Sequence, residues 1–155
     1  MLDPSWHIDE QTLLPVIDDI AAFRDEFAAD PLAEELVLLW TGHPEETLER
    51  LTDFLRHNPG NARARALSAD ALRDLGRFAQ ATEIYRELIE GVSSPLREAT
   101  FRQHLGKVHF AAGEYEAAEE CFAAALELRI AGDASTDLVA SAELALARVR
   151  ELLAS

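Results

Sequence analysis

Residues 96–132 read LREATFRQHLGKVHFAAGEYEAAEECFAAALELRIAG. Apolar side chains recur three and four positions apart on both sides of Ala112-Gly113-Glu114, which is the period of a helix rather than a strand. The glycine closes one helix and a second opens almost at once, so the stretch is a helix-turn-helix hairpin. Its second helix carries Ala118 and, one turn later, Phe122. A small side chain lets the two helices approach closely, and the aromatic fills the gap to the next hairpin. Alone, such a hairpin leaves an apolar face bare, so it needs a neighbour of the same kind.

The neighbours lie upstream. Gly42, Gly76 and Gly113 are 34 and 37 residues apart, a repeat signature. Alignment on them superposes Phe78 on Tyr115, Ala81 on Ala118, Tyr85 on Phe122 and Leu88 on Ala125, with Thr47, Leu51 and Phe54 at the last three places in the first unit. Breaks at Asp30-Pro31, Asn58-Pro59-Gly60-Asn61, Ser94-Pro95 and Gly132-Asp133 complete the punctuation. They predict helices over 13–29, 31–41, 45–57, 62–74, 78–90, 96–111, 115–130 and 136–153, and no segment sustains the two-residue period of a strand. The expected fold is all-α: one domain over 1–155, a right-handed α-solenoid of about three hairpins (31–61, 62–95, 96–132) with capping helices. Residues 134–155 form the carboxyl-terminal cap, with Leu138, Val139, Ala142, Ala145, Leu146, Val149 and Leu153 on one stripe. Residues 1–30 form an amino-terminal arm whose helix either caps the stack or lies over its groove.

At 155 residues and 17.1 kDa the chain can bury a core without disulfides or metal, and the lone Cys121 agrees. Hydrophobic residues make up 48%, too many for a disordered acidic chain. No uncharged apolar run is long enough for a spanning helix, and the acidic first ten residues do not resemble a secretory signal, so a cytoplasmic protein is expected. The formal charge of −15 disfavours nucleic acid and anionic membrane as partners. That charge is uneven: residues 1–55 hold 14 acids and 2 bases, residues 56–110 hold 6 and 9, and residues 111–155 hold 9 and 3. The basic middle is either an ordinary solvated surface or a cationic strip facing an acidic partner, or the protein's own acidic arm. Arg in preference to Lys, with abundant Ala, fits a GC-rich bacterial genome.

These residues resemble the tetratricopeptide-repeat family. Its pattern places Leu-Gly and an aromatic on the first helix, Gly-x-aromatic at the turn, and Ala, aromatic, Ala on the second helix. Leu105-Gly106, His109, Gly113, Tyr115, Ala118, Phe122 and Ala125 follow it in order. The second unit keeps Gly76, Phe78, Ala81 and Tyr85 but has Ser68-Ala69 for Leu-Gly; the first keeps Gly42 and Pro59 but has Pro44 at the turn aromatic. The resemblance covers about 28–132 and implies that the first helix of each hairpin lines a concave groove in which peptides or partner helices lie. Carried over, the groove positions include Leu36 and Trp40 in the first unit, Arg63, Asp70 and Arg73 in the second, and Gln103, Lys107 and Phe110 in the third. The Lys and Asn set with which some members clamp a terminal carboxylate is unmatched, which disfavours chaperone tails.

Chemistry beyond binding is not expected. No two of the five histidines have metal-site spacing, Cys121 has no second cysteine, and adjacent carboxylates such as Glu34-Glu35 point in different directions around a helix. Cys121 beside Phe122 reads as a packed thiol. The expected function is therefore a non-enzymatic, cofactor-free module for a protein or peptide partner, acidic or amphipathic. The alternative is a homodimer through an apolar helix face. Residues 32–40 are apolar all round, so the arm covers them as core or Trp40 stays open as an anchor for an incoming segment.

Overall fold

The computed structural model describes residues 4–155, in the order β1 (Trp6–Ile8), β2 (Pro15–Ile17), α1 (Ile20–Glu26), α2 (Ala33–Trp40), α3 (Pro44–His57), α4 (Ala62–Asp74), α5 (Phe78–Gly91), α6 (Pro95–Ala111), α7 (Tyr115–Ala131) and α8 (Thr136–Ala154). The helix starts follow capping rules. Asn61, Ser94 and Ser135 each accept a backbone N–H from the first turn of α4, α6 and α8, and Pro44 and Pro95 occupy first-turn sites where no N–H is needed. The ends repeat one motif. Gly42, Gly76 and Gly113 have φ of 88°, 76° and 78°, and the next residue's N–H reaches back to the carbonyl of Leu38, Leu72 or His109 at 2.8–2.9 Å. That closing bond requires a left-handed residue, which glycine adopts without a Cβ penalty. Asp133, at φ 55°, makes the same turn before α8, with Ala134 N donating to Arg129 O.

Consecutive helices pack as antiparallel pairs, and α4 also packs on α6, so the even-numbered helices line one face of the stack. Thr47, Ala81 and Ala118 are all fully buried at their equivalent crossings, as are Leu51, Tyr85 and Phe122. The core divides accordingly. One cluster joins α2, α3 and α4 around Leu36, Leu51 and Leu67, and a second joins α4, α5 and α6 around Tyr85 and Val108. A third joins α7 and α8 around Phe122 and Val149. The architecture is an all-α helical-repeat solenoid.

The amino-terminal arm corrects the expected helix over 13–29. In its place β1 and β2 pair antiparallel, Trp6 opposite Ile17, and only the seven residues of α1 are helical. Pro15, Val16 and Ile17 favour extended backbone, and the helix starts only where Asp19 accepts from Ala22 N. Asp9 Oδ1 holds the turn through Gln11 N at 2.9 Å and Thr12 N at 2.8 Å, and Leu13 turns the chain at φ 62°. The arm then touches both ends of the stack. Trp6 packs at a tilt against Trp40 of α2, with ring centroids 5.0 Å apart, while Leu13 is buried with Ala145, Leu146 and Val149 of α8, and Arg148 Nε donates to Gln11 O at 3.2 Å. Seven residues span at most about 25 Å, so the hairpin is a strut between the first and last inner helices.

Candidate protein-binding groove

At the centre of the inner face lies a buried polar knot contributed by α4, α5 and α6. Tyr85 Oη donates to Asp70 Oδ1 at 2.5 Å, with the Ala66 carbonyl 3.0 Å away. Arg73 donates to Asp70 at 3.4 Å and to Asp74 at 3.0 Å, and His104 Nδ1 stands 3.5 Å from the other oxygen of Asp70, an ion-pair separation rather than a hydrogen bond. Burial alone would raise the Asp70 pKa, but the charges of His104 and Arg73 and the Tyr85 hydroxyl hold it down at about 2. Tyr85 shows the converse: burial beside that carboxylate pushes its pKa well above the ordinary tyrosine value. Asp70 is therefore a fixed negative charge that orients its neighbours.

One turn along α6, Gln103 (3% exposed) and Lys107 (7% exposed) point the same way from the helix. Neither side-chain polar atom of Gln103 has a hydrogen-bond partner, and Lys107 enters no ion pair among the described residues. Burial, then the cations Arg73 and Arg129, lower the Lys107 pKa to about 8, against the pull of Asp70. The remaining expected groove residues divide between the ends. Leu36 is core, Trp40 is half-buried between Trp6 and Phe23, and Phe110 is half-buried 5.6 Å from Tyr115. Arg63 is exposed and pairs with Asp30. So the structure gathers Asp70, Arg73 and Lys107 in one electrostatic group and leaves Leu36 within the hydrophobic core.

Beside this group a cleft of about 290 Å³ stays open between α4 and α6, walled by Ala66, Leu67 and Phe101, floored by Asp70, Tyr85 and His104, and rimmed by Arg63 and Arg97. No residue of the β-hairpin lines it. A larger depression of about 680 Å³ over α3 is walled mostly by charged side chains, with no buried polar group aimed into it. Tetratricopeptide-repeat family models match residues 38–91 and 99–129. The chain belongs to the tetratricopeptide-repeat family. No curated protein and no solved structure matches it significantly. Tetratricopeptide-repeat domains generally mediate protein–protein interaction, and the even-numbered helices are the ones that face the groove in such a domain. Four residues lining the cleft, Tyr85, Arg97, Phe101 and His104, are not among those that the repeat register points to. Tyr85 sits at the repeat's packing aromatic, and its hydroxyl meets Asp70 from fifteen residues away, a contact without local signature. Arg97, by contrast, lies one turn before Phe101 on an inner helix of the tetratricopeptide repeat, and that spacing was a readable signal.

Proposed function

We propose that this domain is a non-enzymatic binding module that takes an acidic segment of a protein partner on its inner face, entering at the cleft between α4 and α6. The observation that carries the reading is that cleft itself: apolar walls for a buried side chain, with Arg63 and Arg97 at the mouth of a protein otherwise rich in carboxylates. Apolar anchors supply affinity in such a groove, while the two guanidinium groups supply orientation and association rate. Arg97 makes no ion pair among the described residues, so it is free to meet an incoming carboxylate without breaking an internal one. Affinity capture from native lysate with the wild type and with an Arg63→Glu/Arg97→Glu chain tests this. Both side chains lie at the surface of the stack, so the variant keeps its fold; a specific partner band should be lost, and retention by the folded variant refutes the reading.

Self-association is a second reading with its own observation. Ile130 is 62% exposed at the end of α7, and Leu138 and Leu96 are exposed near the same corner, where Leu96 lies against Gly132 and Arg129 donates to Leu138 O. A dimer through that corner dissociates on Ile130→Asp, and sedimentation velocity at high concentration reads the difference.

A further inference from the structure

The polarity of the cleft between α4 and α6 reverses from mouth to floor. Its mouth carries Arg63 and Arg97, whereas its floor carries the ionised Asp70, which accepts from Tyr85 Oη and Arg73. An acidic side chain is therefore favoured at the rim and repelled at the bottom. The floor also has a defined edge. The His104 ring stacks on Tyr85 with centroids 6.0 Å apart and 12° between the planes. Its Nδ1 is buried 3.5 Å from Asp70 with no hydrogen-bond partner, while 33% of the side chain remains exposed. Nε2 is neither hydrogen-bonded nor enclosed among the described residues, so it is the ring nitrogen that an incoming group reaches. The charge that His104 lends Asp70 in acid belongs to the protonated ring. In the neutral ring the carboxylate beside Nδ1 keeps the proton there, which leaves the lone pair of Nε2 toward the cleft. Ala66, Leu67 and Phe101 supply apolar walls. The volume of about 290 Å³ exceeds the roughly 150 Å³ that takes up one benzene ring, leaving room for a ring with one further group.

We propose that the anchor entering this cleft is a tyrosine or tryptophan of another protein, its O–H or N–H donated to Nε2 of His104 and its acidic sequence neighbours held by Arg63 and Arg97. The proposal rests on the cleft being the entry point for a partner and adds which side chain fills it. A phenylalanine or leucine fits the walls but leaves Nε2 stripped of water and unpaired, and a glutamate tip meets Asp70. The chain's own candidates are occupied. Trp6 and Trp40 pack on each other, Tyr85 is fully buried, and Tyr115 is half-buried against Phe110, so a second copy of this chain is a poor source of the anchor.

Nitrogen-15 spectra of the histidine rings in the full-length wild type identify the conditions in which His104 is neutral, and there Nδ1 should carry the proton. A neutral ring protonated at Nε2 overturns the proposal, and this reading needs no variant to fold. Under the same conditions the probes are two fluorescein-labelled peptides, Asp-Glu-Tyr-Glu-Asp and its counterpart with phenylalanine at the centre. Anisotropy should show the tyrosine peptide binding at least about fivefold more tightly than the phenylalanine peptide. The preference should disappear in His104→Phe, which keeps a ring against Tyr85 but offers no acceptor. Equal binding of the two peptides by the wild type, or no binding of either, overturns the proposal. If equal binding is also lost in the Arg63→Glu/Arg97→Glu chain, the cleft stands as the entry point and only its anchor is wrong. Sedimentation velocity covers the remaining occupant: self-association of the wild type that the tyrosine peptide disperses makes a second copy the ligand and overturns the assignment to another protein.

Discussion

Asp70 and Lys107 belong to one buried electrostatic group, and each makes stability rise with pH, in windows at opposite ends of the scale. The unfolded chain titrates Asp70 near the usual 3.8, whereas the folded chain holds it at about 2. Its contribution is present above pH 4 and is lost as pH falls toward 2, about 2 kcal/mol in all. Urea unfolding of the wild type should weaken by that amount across the window. Asp70→Asn, less stable at neutral pH, should show a flatter acid limb. Lys107 works at the other end. Buried with Arg73 and Arg129, it releases its proton at about 8 when folded but keeps it to about 10.5 when unfolded. Between those values the unfolded state binds more protons, so stability rises with pH, by about 3 kcal/mol. Burial pushes the Cys121 thiol up to about 11 and the Tyr85 hydroxyl well above its ordinary 10.0, each giving a slope of the opposite sign, so the measurement is made in a Cys121→Ala chain and read below the onset of tyrosine titration. There Lys107→Met should be more stable at pH 7 and should abolish the alkaline rise; parallel curves for the two chains would mean that Lys107 reaches water.

At the scale of the element, the tightest joint is between α6 and α7. A Cβ on Gly106 would stand 2.5 Å from Cε1 of Phe122, whose ring is fully buried and has nowhere to move. Gly106→Ala should therefore lose about 1–3 kcal/mol to overpacking despite the better helix propensity of alanine. Gly91→Ala, with open space around its Cβ, should cost nothing. Thermal or urea unfolding of the two variants checks both. This joint is legible in the sequence: Leu105-Gly106 and Phe122 are named by spacing from Gly113, and the rule for one hairpin applies by translation to the next. The arm is not. Pro15-Val16-Ile17 and Trp6-His7-Ile8 are each too short to show a period, their pairing crosses a six-residue turn, and the left-handed Leu13 has no compositional mark. The groove fared in between. Repeat register located Asp70, Arg73, Gln103 and Lys107 on the inner face, but a period says which face a side chain is on and not how deeply it is buried there.

For the whole molecule, the arm changes the way the repeats hold together. A stack of hairpins is stabilised by nearest-neighbour contacts, so a terminal element such as α8 can fray while the rest stays folded. Here the first and last inner helices share a tie, since Leu13 packs on α8 while Trp6 and Ile17 pack with the core of the α2 end. With that tie the two ends should unfold as one. Leu13→Ser removes a fully buried leucine and should cost about 2–4 kcal/mol. More tellingly, it should split the transition. The only two tryptophans, Trp6 and Trp40, touch each other at the α2 end, so their fluorescence reports that end alone, whereas far-ultraviolet circular dichroism reports all the helices. In the wild type the two signals should coincide through urea unfolding. In Leu13→Ser the helical signal should fall first, as α8 melts, with the tryptophan transition following at higher urea. If both probes move together to lower urea, the nearest-neighbour contacts already couple the ends and the arm adds only its own buried area.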